Sequence, residues 1–585
     1  MNSRPDCESG GEFIARFFES RNVRQIFTLC GGHIAPILVS SKSRGIRVVD
    51  VRHEVSAVFA ADACSRLTGV PGVAVVTAGP GVTNTVTAVK NAQMAQSPLV
   101  LLGGATATIL KGRGSLQDID QLSVIRSSTK WAGTVKKIDQ LPGKLARAFD
   151  ESISGVPGPV FLEIPVDLLY EESVVRSWYA KESGGGRGLA GWATRTYVNW
   201  HLDRVFRGND SLALAPVLRH ELDLVGELGG VVRKVRSCQR PVLVIGSQAV
   251  TQIPDVERLI SAIDRLGMPT FLGGASRGLL GATSPIQFRH KRSVALKEAD
   301  LVIVAGFPFD FRLGYGRSIN REAQIVAANL KMSEMTRNRR ADDRFVTHPG
   351  EFLVRLADYL GNSTGAWNGW LDTLRRREQD REDEIQAMAN DAGVADSVGV
   401  HPVSLFRALD KIMGPEAHLV VDGGDFVATG SYIIRPRRPL SWLDPGVFGT
   451  LGVGGGFAVG AAVCRPEAEV WLLYGDGSAA FSICEFDTFV RHGLAPIAIV
   501  GNDACWSQIA REQVDVLGDD VGTVLNRTDY HEVAEGLGAV GLLLTSPDEI
   551  ESTLQAALEQ SRAGRPVLIN VHLTGTDFRK GSISI

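Results

Sequence analysis

The sequence predicts an α/β protein built as three doubly wound parallel-sheet domains. Short apolar runs bounded by Gly and Pro alternate with helical patterns along most of the chain, the order that parallel strands with crossover helices require. A cassette also occurs twice. Val73 to Thr77, Gly79-Pro80-Gly81, a helix and Pro98 to Gly103 return as Val470 to Tyr474, Gly475-Asp476-Gly477, a helix over Ala479 to Arg491 and Pro496 to Val500. Length agrees, since 585 residues of balanced composition suffice for three or four cores.

The first domain, 8–178, takes its strands from Gln25 to Leu29, Ile46 to Val51, Gly72 to Thr77, Leu99 to Gly103 and Val160 to Ile164. A linker, 179–221, follows. It contains Ser183-Gly184-Gly185-Gly186-Arg187-Gly188, a flexible composition, and then a helix over Leu189 to Phe206 with Trp192, Tyr197 and Trp200 among Arg195, His201 and Arg204. The apolar residues of that helix spread around the wheel, which predicts buried packing over a membrane-facing stripe. A central Rossmann-like domain, 222–362, has strands at Pro241 to Ile245, Pro269 to Leu272, Leu301 to Ala305 and Gln324 to Ala328. The third domain, 395–575, holds the second cassette, and 576–585 is a tail.

Composition excludes several classes. A net charge near −3 gives no general affinity for nucleic acid. Seven cysteines without C-x-x-C spacing indicate neither a disulfide framework nor a zinc site, and point to a reducing, cytoplasmic setting. No run is apolar and long enough to cross a membrane, and the start, Met1 to Gly11, is polar instead of signal-like. A GK[ST] phosphate loop is missing, and Gly452 to Gly460 does not fit G-x-G-x-x-G.

The second cassette reads as a metal-diphosphate cradle. Asp476 and Asn502, 26 residues on, fall at the carboxyl ends of neighbouring strands, where open α/β sheets bind ligands. A carboxylate, an amide oxygen and one carbonyl, that of Ala504, would give Mg²⁺ its hard oxygen ligands and leave room for two phosphate oxygens. Gly475 and Gly477 let backbone approach an anion, and Ser478 opens the helix whose free N–H groups favour negative charge.

Together with Arg52-His53-Glu54 and the run GPGVTN at Gly79 to Asn84, this pattern resembles the thiamine diphosphate enzymes of the acetohydroxyacid synthase group, over nearly the full chain. Within that group the run TNTVTAVKNAQMAQ at Thr83 to Gln96, WLDPG at Trp442 to Gly446 and TDFRKGS at Thr576 to Ser582 are most similar to 2-hydroxyacyl-CoA lyases of the second type. The resemblance implies thiamine diphosphate and Mg²⁺ as cofactors. It makes Glu54 the acid that hydrogen-bonds the aminopyrimidine and drives proton removal from the thiazolium, and Leu451, with Gly449 in the same turn, the apolar prop beneath the cofactor. Pro80 and Asn84 then belong near the pyrimidine, and Gln117 is aimed at the reacting carbonyl. His33 stands where biosynthetic synthases have a small residue and is a candidate catalytic residue, or equally a structural donor at a strand-helix turn. Gly424 and Asp425 occupy the place of a Gln-His pair beside the diphosphate; an Asp there is expected to bond backbone amides or water.

Arg511 falls where synthases place the Trp that selects a second keto acid, which favours cleavage of a 2-hydroxyacyl-CoA. The alternatives are an acetolactate-type carboligase acting on pyruvate or another 2-keto acid, and a catalytically silent thiamine-fold subunit. Retention of Glu54, Asp476 and Asn502 argues against silence. Arg579 and Lys580 are candidate lid contacts, and the central domain, with Arg277 and Arg312, keeps the region where relatives bind FAD or ADP. The family's shared cofactor site implies a homodimer or homotetramer. Relatives in animals sit at the endoplasmic reticulum by an N-terminal anchor; a soluble form is expected here, with peripheral attachment as the alternative.

Overall fold

The computed structural model describes residues 8–183, 188–209, 212–214, 227–361, 367–391 and 399–579. The Gly184 to Arg187 linker, Lys580 and the end of the tail lie outside them. The chain divides into two compact units, Met1–His220 and Glu221–Ile585.

The first unit carries one sheet: β1 (Gln25–Leu29), β2 (Arg47–Asp50), β3 (Gly72–Val76), β4 (Leu99–Ala105), β5 (Trp131–Thr134) and β6 (Pro159–Pro165). Its order is β2-β1-β3-β4-β6-β5. All ladders are parallel, and β3, β4 and β6 are buried along their whole length, because helices cover both faces.

The second unit carries two sheets. The central one comprises β7 (Pro241–Ile245), β8 (Thr270–Leu272), β9 (Gln287–Phe288), β10 (Leu301–Ala305), β11 (Gln324–Asn329) and β12 (Asp343–Val346), ordered β12-β11-β10-β7-β8-β9. Counted from its own first strand and read from the other edge, this is the 3-2-1-4-5-6 order of the dinucleotide fold. The last sheet comprises β13 (His418–Asp422), β14 (Trp442–Leu443), β15 (Val470–Gly475), β16 (Ile497–Asn502), β17 (Val540–Leu544) and β18 (Val567–His572), ordered β14-β13-β15-β16-β18-β17. Counted the same way, its order equals that of the first sheet, so the repeated cassette reflects two copies of one topology.

Three expectations are corrected. The helix after the Gly475-Asp476-Gly477 turn is two helices, Asp476–Ser482 and Glu485–His492, and it opens at Asp476 instead of Ser478. The helix of the linker exists, as Gly188–Val205, but its aromatic residues face outward: Trp192 is 62% and Trp200 56% exposed, while Leu202 and Val205 pack inward. One narrow aliphatic side, not the whole circumference, is enough to seat it. The strands β5, β9, β12, β13, β14, β17 and β18 add to those the sequence predicts; β9 and β14 are two residues long, too short for any alternating pattern.

Candidate active site

β15 and β16 pair in register, with Gly475 opposite Gly501, so Asp476 and Asn502 emerge side by side at the carboxyl edge. Both are buried. The Asn502 amide is oriented from behind: its Nδ2 donates to the Thr528 carbonyl at 3.0 Å and to Asn570 Oδ1 at 3.2 Å. This leaves Asn502 Oδ1 without a partner, and Asp476 Oδ2 is likewise unpartnered, its Oδ1 accepting from Gly477 N at 2.7 Å. Burial and the neighbouring Asp503 charge push the Asp476 carboxyl up to about 6. Two buried, unsatisfied oxygens on adjacent strand ends, one from a carboxylate in need of positive charge, fit a hard cation. Ala504, at φ +58, spends one carbonyl lone pair on Leu525 N at 2.8 Å and keeps the other.

The surroundings fix this pair. Tyr530 donates its hydroxyl to the Asp476 carbonyl at 2.8 Å. Gly477 is required sterically, since a Cβ there would lie 2.4 Å from the Trp506 ring; at Gly475 a Cβ would meet nothing closer than Ser478 Oγ at 3.8 Å. Ser478 Oγ donates to the Asp422 carbonyl at 2.5 Å. The Asp422 carboxylate accepts from Gly452 N at 3.2 Å and Gly454 N at 2.8 Å, and so anchors the turn that holds Leu451 between Gly449 and Gly452, both at positive φ. Burial pushes the Asp422 carboxyl up to about 7.

Asp425 departs from expectation. Instead of backbone amides or water, its carboxylate meets Arg511 at 2.6 Å and lies 3.9 Å from Arg579, beside a cavity of about 220 Å³ that Asp503 and Thr576 also line. Arg579 therefore reaches the helix Asp425–Ile433, and it also borders a second cavity of about 610 Å³ in the same unit, lined by Arg277, Arg289, Lys291, Arg292 and Arg312. Arg312 is held by Asp310 at 2.6 Å and stacks 4.9 Å over Phe307.

In the first unit, Glu54 is 7% exposed and opens the helix Glu54–Thr68, with His53 as its cap accepting from Val55 N at 3.1 Å. Asn84 donates to Glu54 Oε2 at 3.0 Å, bringing together two residues read from separate motifs. Gly79, at φ +62, begins the short helix Pro80–Thr83 and lies against Gln117, itself at φ +63; a Cβ on Gly79 would come within 2.9 Å of the Gln117 Cβ. His33 Nδ1 is 3.2 Å from Thr77 Oγ1, and burial lowers its pKa. Sequence reading misses Asn570, Tyr530 and Asp422. The only trace of Asn570 is a polar residue inside the apolar run VLINVH of β18.

Two unpartnered buried oxygens at the ends of β15 and β16, and a buried acid after β2 of the sheet with the same strand order, are groups that a thiamine enzyme needs. Thiamine pyrophosphate enzyme models match the chain in three parts: the N-terminal TPP binding domain over residues 8–124, the central domain over 229–356 and the C-terminal TPP binding domain over 422–571. The chain belongs to this family. It is 46% identical to 2-hydroxyacyl-CoA lyase 2 of Danio rerio, over 100% of this chain and 94% of that protein, and 45% identical to 2-hydroxyacyl-CoA lyase 2 of Homo sapiens, over 98% and 92%. Acetolactate synthase large subunit IlvG of Mycobacterium tuberculosis is 31% identical, over 96% and 95%. Among solved structures, a thiamine diphosphate-dependent 4-hydroxybenzoylformate decarboxylase of Rhodococcus jostii RHA1 superposes with a TM-score of 0.77 at 19% identity, over 97% of this chain and 100% of that one, a likeness of fold.

Proposed function

We propose that the protein is a thiamine diphosphate-dependent carbon–carbon lyase that cleaves a 2-hydroxyacyl-CoA between C1 and C2, releasing formyl-CoA and an aldehyde one carbon shorter. The observation that carries this reading is the higher identity, along the whole chain, to the lyases than to the synthase. When bound, thiamine diphosphate supplies an ionisable carbon and an electron sink for the bond that breaks. Asp476 Oδ2, Asn502 Oδ1 and the Ala504 carbonyl would hold Mg²⁺ against the diphosphate, with Gly475 and Ser478 offering backbone N–H groups, Gly477 keeping its N–H on Asp476 Oδ1 and sparing room by its missing Cβ, and Gly424 belonging to the same cradle. Glu54, steadied by Asn84 and close to the Pro80 turn, would hydrogen-bond the pyrimidine, and Leu451 with Gly449, contributed by another subunit, would support the cofactor. Gln117 faces the acyl oxygen, where an amide donor stabilises developing charge. His33, whose pKa burial lowers, would serve as the base for the 2-hydroxyl proton, which must leave as the aldehyde forms.

Asp425 holds Arg511 and Arg579 at the rim, so its role is to position cations for the acyl-CoA phosphates and not to touch the diphosphate itself. The larger cavity, with its five further cationic side chains, suits a nucleotide such as ADP or FAD. We take the active unit to be a homodimer or homotetramer in a reducing, cytoplasmic compartment. No helix among the described residues is long and apolar enough to cross a membrane.

The deciding experiment incubates pure protein, thiamine diphosphate and Mg²⁺ with a 2-hydroxyacyl-CoA and, separately, with pyruvate, and weighs the products. Formyl-CoA and a shortened aldehyde are expected. Acetolactate and CO₂ from pyruvate, with no turnover of the thioester, would replace the lyase by a carboligase.

A further inference from the structure

The loop between β4 and the helix Gln121–Ile125 carries Gln117, and beyond the buried Ala107 and Ile109 at its start its apolar side chains do not fasten it. Leu116 is 82%, Ile119 41% and Leu110 40% exposed. What fastens it is polar and comes from β6 and the turn that follows. Glu163, 1% exposed, accepts from Gln121 Nε2 at 2.9 Å on one oxygen and pairs with Lys111 on the other. The Gln121 amide is used completely: its Nε2 also donates to the Gly104 carbonyl at 3.1 Å, and its Oε1 accepts from Gly79 N at 2.8 Å. Four residues beyond Glu163, Asp167, 2% exposed, accepts from Thr108 N at 3.1 and 3.0 Å and from Thr108 Oγ1 at 2.5 Å; His201 Nε2 is 2.7 Å from the same hydroxyl.

We propose that Glu163 and Asp167 form a two-point clamp that sets the loop 108–121, with Lys111, Gln121 and Thr108 as its jaws, and that this clamp holds Gln117 in register against Gly79. These are positioning residues: none is placed on the substrate, and each acts through Gln117. The inference rests on the role given to Gln117 above. Glu163 suits the task because a desolvated charge with one cationic partner enforces one geometry, and Asp167 because it takes both the amide and the hydroxyl of Thr108. Gln121 extends the same control to the Gly79-Pro80 turn, so both sides of the Gln117 contact are set from one strand.

Lys111 is the point to test, since its side chain is 42% exposed while the Glu163 side chain it meets is 1% exposed. In Lys111→Met we expect faster amide hydrogen exchange over 109–118 with the sheet unchanged, and kcat lower by about tenfold, the scale of a small misplacement of a catalytic group, with KM little altered. Lys111→Arg should restore both. Combined with Gln117→Ala, Lys111→Met should add nothing further to the loss. Unchanged exchange in Lys111→Met, or a loss additive with Gln117→Ala, would overturn the clamp. Failure of the parent enzyme to turn over any 2-hydroxyacyl-CoA would instead strike the proposed reaction, because exchange over 109–118 reads the clamp in the absence of substrate.

Discussion

Asn84 donates its side-chain amide to Glu54 Oε2 at 3.0 Å, so the acid that begins the Glu54–Thr68 helix is held by the same turn that carries Pro80. An amide in place of the acid still accepts that bond, and Glu54→Gln should fold like the parent. It loses the ability to exchange a proton, and turnover should fall by about 100-fold or more, the contribution of a placed acid–base group. Steady-state rates with thermal melting as control decide it; parental turnover would remove Glu54 from the chemistry.

Asn570 acts one step behind the cradle. Its Oδ1 accepts from Asn502 Nδ2, which points the opposite oxygen of Asn502 outward. Asn570→Leu removes one of the two acceptors that orient that amide, the Thr528 carbonyl being the other, and the Mg²⁺ concentration for half-maximal activity should rise by about 10-fold, as for other partners that orient metal ligands. Asn570→Asp keeps the acceptor toward Asn502 but turns an oxygen on the Thr528 carbonyl, to which Asn570 Nδ2 donates at 3.1 Å, and should fall between the parent and Asn570→Leu in the same titration.

At Gly477 the constraint is the Trp506 ring, 2.4 Å from where a Cβ would lie. Gly477→Ala should destabilise by about 1–3 kcal/mol in denaturant melts, the scale of overpacking, and weaken cofactor retention. Adding Trp506→Leu makes room and should recover most of the stability. Gly475→Ala, which meets no such ring, should be the milder change.

His418 is buried at the start of β13 and donates from Nδ1 to the Glu416 carbonyl at 3.0 Å. Burial, with Arg465 nearby, lowers its pKa to about 4 from an ordinary 6.5. The folded chain therefore keeps this ring neutral. Its contribution is intact above pH 6.5 and is lost as pH falls from 6.5 through 4, because the unfolded chain takes up the proton first; the total is about 3 kcal/mol. His418→Asn keeps a donor but does not titrate, and its stability should change less over that window in chemical unfolding.

Much of the site is legible in the sequence, and the reasons differ by residue. Asp476, Asn502 and Glu54 stand at strand-to-helix turns, where an apolar run ending in Gly or a charged residue marks position directly. Their supports do not. Asn570, Tyr530 and Gln121 act over separations of 42 to 68 residues, distances that no local pattern encodes. The outward turn of Trp192 and Trp200 is hidden for a similar reason, since a helical wheel reports where apolar residues lie but not which side meets the core. Asp425 is obscured differently: its partner Arg511 is 86 residues away and neutralises the charge that makes it look out of place.

The identical strand order of the first and last sheets makes the turn after β3 and the turn after β15 one position drawn twice. One drawing puts Pro80 there, the other Asp476. Division of labour between the twin halves thus needs no change in any strand's neighbours: an imino acid in one copy and an acid in the other suffice to give a single inherited frame two different hands.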